Sequence, residues 1–163
     1  MKTVSTMVLA MALATAAVPV AAGPAAGGPE AEVLALINQE RAQKGCGPLT
    51  MNAQLSRAAA RHAEAMGRKD FFSHTGANGS TLRSRTRAAG YKGRSLAENI
   101  AAGYASPAQT VEKWMASPGH RANILTCKYT ETGIGLYYDP DDAPLPGQKY
   151  AMKYYWVQDF GRR

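Results

Sequence analysis

The hydrophobic pattern changes period near residue 130, and that change limits the folds open to this chain. Upstream, apolar residues recur at helical intervals. In "EAEVLALINQERAQKG", Val33, Leu34, Ile37 and Arg41 share one side, and Gly45 ends the segment. "PLTMNAQLSRAAARHAEAMGRKD" reads as a second helix capped by Asn52, with Leu55, Ala59, His62, Ala63 and Met66 along one face. Its many alanines predict close packing against a neighbour. "SPAQTVEKWMA" opens a third helix with a capping box of Ser106 and Gln109, and directs Val111, Trp114 and Met115 inward. "SPGHRANIL" then restarts a short helix, with the Ser117 hydroxyl as its cap and Pro118 where no N–H is needed. Downstream, "ETGIGLYYD" and "KYAMKYYWVQDF" alternate apolar and polar residues and are rich in Tyr, Ile and Val. They predict an antiparallel hairpin across the turn-rich "PDDAPLPGQ". Helices first and strands last make the class α+β, with helices covering a small antiparallel sheet.

Between these halves the signals are weaker. Residues 71–94 read as loop with one helical turn around 81–89, and "SLAENIAAGYA" reads as a strand or loop. A length of 163 residues favours one domain. Residues 1–22 carry one Lys, a short Ala-rich apolar run and then small residues, the pattern of a secretory signal peptide cleaved after Val20-Ala21-Ala22. Residues 23–29 form a flexible lead-in, and 30–163 a single domain. The product is expected to be secreted and extracellular, without a membrane span. In that setting the two cysteines, Cys46 and Cys127, are most simply one disulfide, and without a CxxC motif its role is structural.

The formal net charge of +7 becomes +6 once Lys2 leaves with the signal segment, and that excess draws an exported protein towards anionic surfaces such as wall polymers or lipid headgroups. Its only cluster is "RSRTR" at 83–87. There is no zinc-finger spacing or RNA-binding signature, so nucleic acid is excluded as a partner. Charge alone identifies no ligand.

The compact catalytic strings are missing: no HExxH, GxSxG, phosphate loop, GxGxxG or EF-hand pattern. What remains is dispersed. His74 lies in "FSHTG", Glu98 in "AENI" and His120 in "PGHR". Two imidazoles and a carboxylate with one open position would suit a zinc ion that keeps a water, although such wide intervals do not establish convergence. Each residue also has a plainer role. His62 fits a buried, hydrogen-bonded core histidine, and His74 could cap its own loop. Glu98 could pair with an arginine, and Glu131 would point to solvent beside its strand. Ser73 precedes His74, but adjacent residues rarely form a nucleophile–base pair.

The strings "FFSHTGANG", "LAENIAAGY", "WMASPGHRANIL", "YTETGIG" and "YWVQDFG" occur in an order that resembles the bacterial branch of the CAP superfamily. That superfamily unites cysteine-rich secretory proteins, antigen 5 and pathogenesis-related class 1 proteins, and its module is also called the SCP domain. The resemblance runs from about 32 to 161. It implies an α-β-α sandwich with a central antiparallel sheet and a surface cleft where two His and acidic residues meet, sometimes with zinc. His74, Glu98 and His120 are similar to three members of that set. The fourth, a Glu in animal and plant members, falls at about Ser117, and Ala97 replaces the usual Gly of a "GENI" string. As third residue of its helix, His120 would feel the positive helix end, which favours the neutral imidazole that ligates metal or accepts a proton.

The resemblance implies a non-enzymatic exported module that binds a small ligand, a lipid or an extracellular protein, requires no cofactor and holds zinc as an optional cation. The alternative is a protease-like hydrolase using a His/Glu- or zinc-activated water. A third reading is adhesion to an anionic cell-wall surface.

Overall fold

The computed structural model describes residues 27–163, and the signal-peptide reading of 1–22 lies outside the described residues. The elements are α1 (Gly28–Gln43), β1 (Thr50–Met51), α2 (Ala53–Arg68), α3 (Leu82–Ala88), β2 (Ser95–Ala102), α4 (Pro107–Ala116), α5 (Pro118–Ile124), β3 (Glu131–Tyr138) and β4 (Tyr154–Arg162). Mixed α+β class, helices before the hairpin, and "SLAENIAA" as a strand are thereby settled. Among the described residues no helix is long and apolar enough to cross a membrane.

The sheet order is β1-β3-β4-β2. β3 and β4 pair antiparallel, as their alternation predicts, and β2 pairs antiparallel to β4 at one edge. At the other edge β1 runs parallel to β3, so the sheet is mixed and not wholly antiparallel. This short strand leads directly into α2. The Asn52 N–H donates to Thr132 O at 2.7 Å, and its side chain accepts from Gln54 and Leu55 N–H. The predicted Asn52 cap therefore also anchors α2 to the sheet.

Two helical layers enclose the sheet. On one face α2 brings Ala59, Ala63 and Met66 against Ile100, Tyr155 and Val157. Helix and sheet approach closely because α2 offers alanines and β3 offers glycines. A Cβ at Gly133 would fall onto the Leu55–Ser56 backbone, and one at Gly135 onto the backbone of Ala60. On the opposite face Val33, Ile37, Val111, Trp114 and Ile124 pack on Ile134, Trp156 and Phe160. Alternate residues of β4 thus enter different cores, as the period-two geometry of a strand requires. Both of its faces are covered, which explains the buried run over seven of its nine residues.

A buried cation joins α1 to the chain after α5. Arg41 is fully buried and donates to the carbonyls of Gly47, Ile124, Thr126 and Tyr129 at 2.7–3.2 Å. The Cys46–Cys127 disulfide closes the same region across 81 positions.

Candidate functional site

β2 is an edge strand, and its "ENI" sequence sends successive side chains to opposite layers. Glu98 lies on the α2 side and Asn99 on the side of α5. Glu98 is 7% exposed, and both of its oxygens are engaged. Oε1 accepts from His74 Nδ1 at 2.8 Å, and Oε2 accepts from Arg85 Nη2 at 2.6 Å. Burial would raise the Glu98 pKa. The His74 hydrogen bond and the Arg85 charge outweigh it and hold the carboxyl below its ordinary range. With Nδ1 bonded to Glu98, Nε2 is the ring nitrogen left for other partners. The ring itself is 57% exposed.

Arg85 is the member of this array that the motifs did not single out. Its Nη1 donates to the carbonyls of His74 and Ser80, both at 3.0 Å, so one guanidinium positions the loop and the carboxylate together. A signal was present: Leu82, Arg85, Thr86 and Ala89 share one helix face, which separates Arg85 from the outward Arg83 and Arg87.

Directly across from Glu98 on β4 is Asp159, fully buried, with no donor within reach of either oxygen. Burial first, and the Glu98 charge second, push its pKa well above the usual range.

On the other face, Asn123 Nδ2 donates to Asn99 Oδ1 at 2.9 Å and to Glu98 O at 3.3 Å, while Asn99 Nδ2 donates to His120 O at 3.2 Å. These bonds fix α5 beside the edge strand. Burial, then the charge of His74, lowers the His120 pKa, so its neutral form is favoured. The start of α5 corrects the cap reading. Pro118 does occupy the first turn, but the Ser117 side chain makes no capping bond. Ser117 also ends α4, with its N–H donating to Lys113 and Trp114 carbonyls, and Arg121 N–H is satisfied by Ser117 O. The backbone begins the helix.

His74 and His120 therefore reach the same edge strand from opposite layers. Glu98, with both oxygens occupied, serves as the carboxylate that orients His74. Among the described residues, no three His, Cys, Asp or Glu side chains are gathered as a metal ion would need. His74, Glu98 and His120 fit an ordered polar array, and do not fit a set of three direct ligands.

Beside His120 opens a groove of about 300 Å³, walled by Phe72, Ile100, Ala102, Tyr104 and Trp114. Phe72 is 42% exposed at its rim. Two plainer residues also resolve. His62 is buried with Nε2 2.9 Å from Ser73 O, as a core histidine should be. Glu131 does not point freely to solvent: it accepts from Asn52 Nδ2 at 2.8 Å and Tyr91 OH at 2.7 Å.

The sequence model of the cysteine-rich secretory protein family, CAP, matches residues 34–160. Similar sequences include YkwD of Bacillus subtilis, 34% identical over 106 residues, and the membrane protein YlbC of the same organism, 31% identical over 107. The matched segments cover 65% and 66% of this chain but only 41% and 31% of those proteins. Among solved structures, an extracellular SCP-domain protein from Bacillus anthracis superposes with a TM-score of 0.72 at 25% identity. That match covers 87% of this chain and 45% of the other. An outer surface protein of Borrelia burgdorferi shares the fold, with a TM-score of 0.68 at 20% identity over 80% of this chain and 90% of that one.

Proposed function

The chain belongs to the cysteine-rich secretory protein (CAP) family, bacterial type, and from that premise we propose that it is an exported, non-enzymatic module for a small amphipathic ligand. The groove at His120 carries this reading. Its apolar walls offer burial to a hydrocarbon portion, while the His120 ring and Lys113 at its margin offer polar contacts. An aromatic rim at Phe72 and Tyr104 adds area without the entropy cost of long flexible side chains.

The ordered array beside the groove positions and does not react. Arg85 and Glu98 hold His74, and Asn99 with Asn123 holds the backbone of His120. The reading requires no cation, and the zinc-uptake arm of the test below decides whether a divalent ion occupies the array. Export is supported by the disulfide, which suits an oxidising compartment, and by the extracellular Bacillus anthracis neighbour.

The test is binding of a fluorescent long-chain fatty acid to wild type, Phe72→Ala and His120→Ala, with zinc uptake and peptide hydrolysis measured in parallel. Saturable binding weakened by both substitutions, with folding intact, is expected. Turnover of peptide by wild type that vanishes in His74→Ala and His120→Ala would replace the binding reading with the hydrolase one.

A further inference from the structure

The "RSRTR" cluster is divided by its helix. Arg85 turns inward to Glu98, while Arg83 and Arg87 stay exposed one turn apart. Lys92 comes back towards them from the following segment, and the three cations border a pocket of about 250 Å³ lined also by Tyr91, Gly93 and Leu96. No Asp or Glu lines it. Among the described residues none of the three cations takes part in an ion pair.

The floor of this pocket is built. Tyr91 is 3% exposed, and its hydroxyl donates to Glu131. Gly93 and Gly161 lie against its ring so closely that a Cβ at either position would collide with it. The nearby carboxylate, Glu131, is already engaged by Asn52 and Tyr91 and stands 3.6 Å from Arg163. Beyond the pocket, Arg94 N–H donates to Arg162 O, which brings two further basic residues together. Three cations from two segments, over a fixed aromatic floor and without a competing carboxylate, form a cradle for a multivalent oxyanion. Two guanidinium forks favour a group with several oxygens over a single carboxylate.

We infer that this pocket binds a phosphate group, carried either on a small soluble ester or on a lipid headgroup. It is separate from the His120 groove, and its failure would leave the proposed function standing. Phosphate enters as a dianion or ester anion, its oxygens facing Arg83 and Arg87 with Lys92 closing the third side. Binding through such partly solvated charges is expected to weaken with salt.

The experiment compares wild type with the triple variant Arg83→Gln/Arg87→Gln/Lys92→Gln. A second triple variant, Lys44→Gln/Lys128→Gln/Lys149→Gln, removes the same charge elsewhere. Calorimetry with inorganic phosphate and with glycerol phosphate reads the soluble source, and sedimentation with phosphatidylglycerol-containing vesicles reads the lipid source. The expected result is binding in at least one arm that falls about tenfold or more in the pocket variant and less than about twofold in the control. A loss confined to the vesicle arm identifies the lipid source, and a loss in the soluble arms identifies the ester. Equal losses in both triples would reduce the effect to overall charge and overturn the site. Absence of wild-type binding in every arm would overturn it as well.

Discussion

Glu98 and Asp159 face each other across the β2–β4 ladder, two buried carboxyls opposed in one sheet. Their surroundings separate them. Glu98 has His74 and Arg85 on its oxygens, which hold its pKa low, whereas Asp159 has no donor within reach, and burial with the Glu98 charge pushes its pKa well up. The low pKa of Glu98 is the work of the His74 hydrogen bond and the Arg85 charge, which outweigh its burial.

Asp159→Asn is expected to stabilise the protein at neutral pH. The folded pKa of Asp159 is raised above its ordinary 3.8, so its contribution is complete below that value and is lost as pH rises through the folded pKa. Asn has the shape of the protonated acid and nothing to lose. Urea unfolding from pH 4 to pH 8 should show the variant's advantage growing with pH. A variant less stable than wild type throughout that range would refute the upward shift of Asp159.

Arg41→Met should cost about 3–5 kcal/mol, although the side chain is of similar length and apolar. The carbonyls of Gly47, Ile124, Thr126 and Tyr129 would lose their shared donor in a buried setting. Arg41→Lys should recover little, because one ammonium cannot reproduce the fork. A loss below about 1 kcal/mol in urea unfolding would mean that water replaces the guanidinium.

Much of the fold could be read from local pattern. The change of period found the helix-to-strand division, and Asn52 and Pro118 marked two helix starts. What escaped depended on partners far along the chain. β1 has two residues, too few to show any period. Glu131 looked solvent-facing because its ligands, Asn52 and Tyr91, lie 79 and 40 positions away. Nothing in the local pattern marks Asp159 as fully buried. β4 is central and covered on both faces, so its alternation divides two cores and does not divide core from water. At the site, the residue types were legible, but the division of labour was not. Only three-dimensional placement shows that Glu98 spends its oxygens on His74 and Arg85.

Gly133→Ala is expected to cost about 2–3 kcal/mol through overpacking. The added methyl would meet the backbone of α2 at Leu55 and Ser56, which cannot move aside like a flexible side chain. Gly47→Ala, where nothing lies within 4 Å of the added atom, serves as control and should change stability by less than about 0.5 kcal/mol. Thermal melts of the pair decide the matter: equal losses would show that α2 rides loosely on the sheet.

His120 should titrate below the ordinary histidine value of 6.5, for reasons that can be separated by mutation. Burial is the larger cause, and the positive charge of His74 the second. His74→Ala should therefore raise the His120 pKa part of the way, and Phe72→Ala, by opening the groove to water, should act in the same direction. For stability the sign is fixed by linkage. A lowered histidine pKa contributes fully above 6.5, and that contribution is lost as pH falls from 6.5 through the folded value. His62 is lowered too, again chiefly by burial, so His120→Gln should flatten the acid slope only in part. Glu98, held low by its partners, adds its own loss only below 4.5. NMR titration of the imidazole carbons checks each step, and a His120 that titrates at or above 6.5 in wild type would remove the electrostatic link across the edge strand.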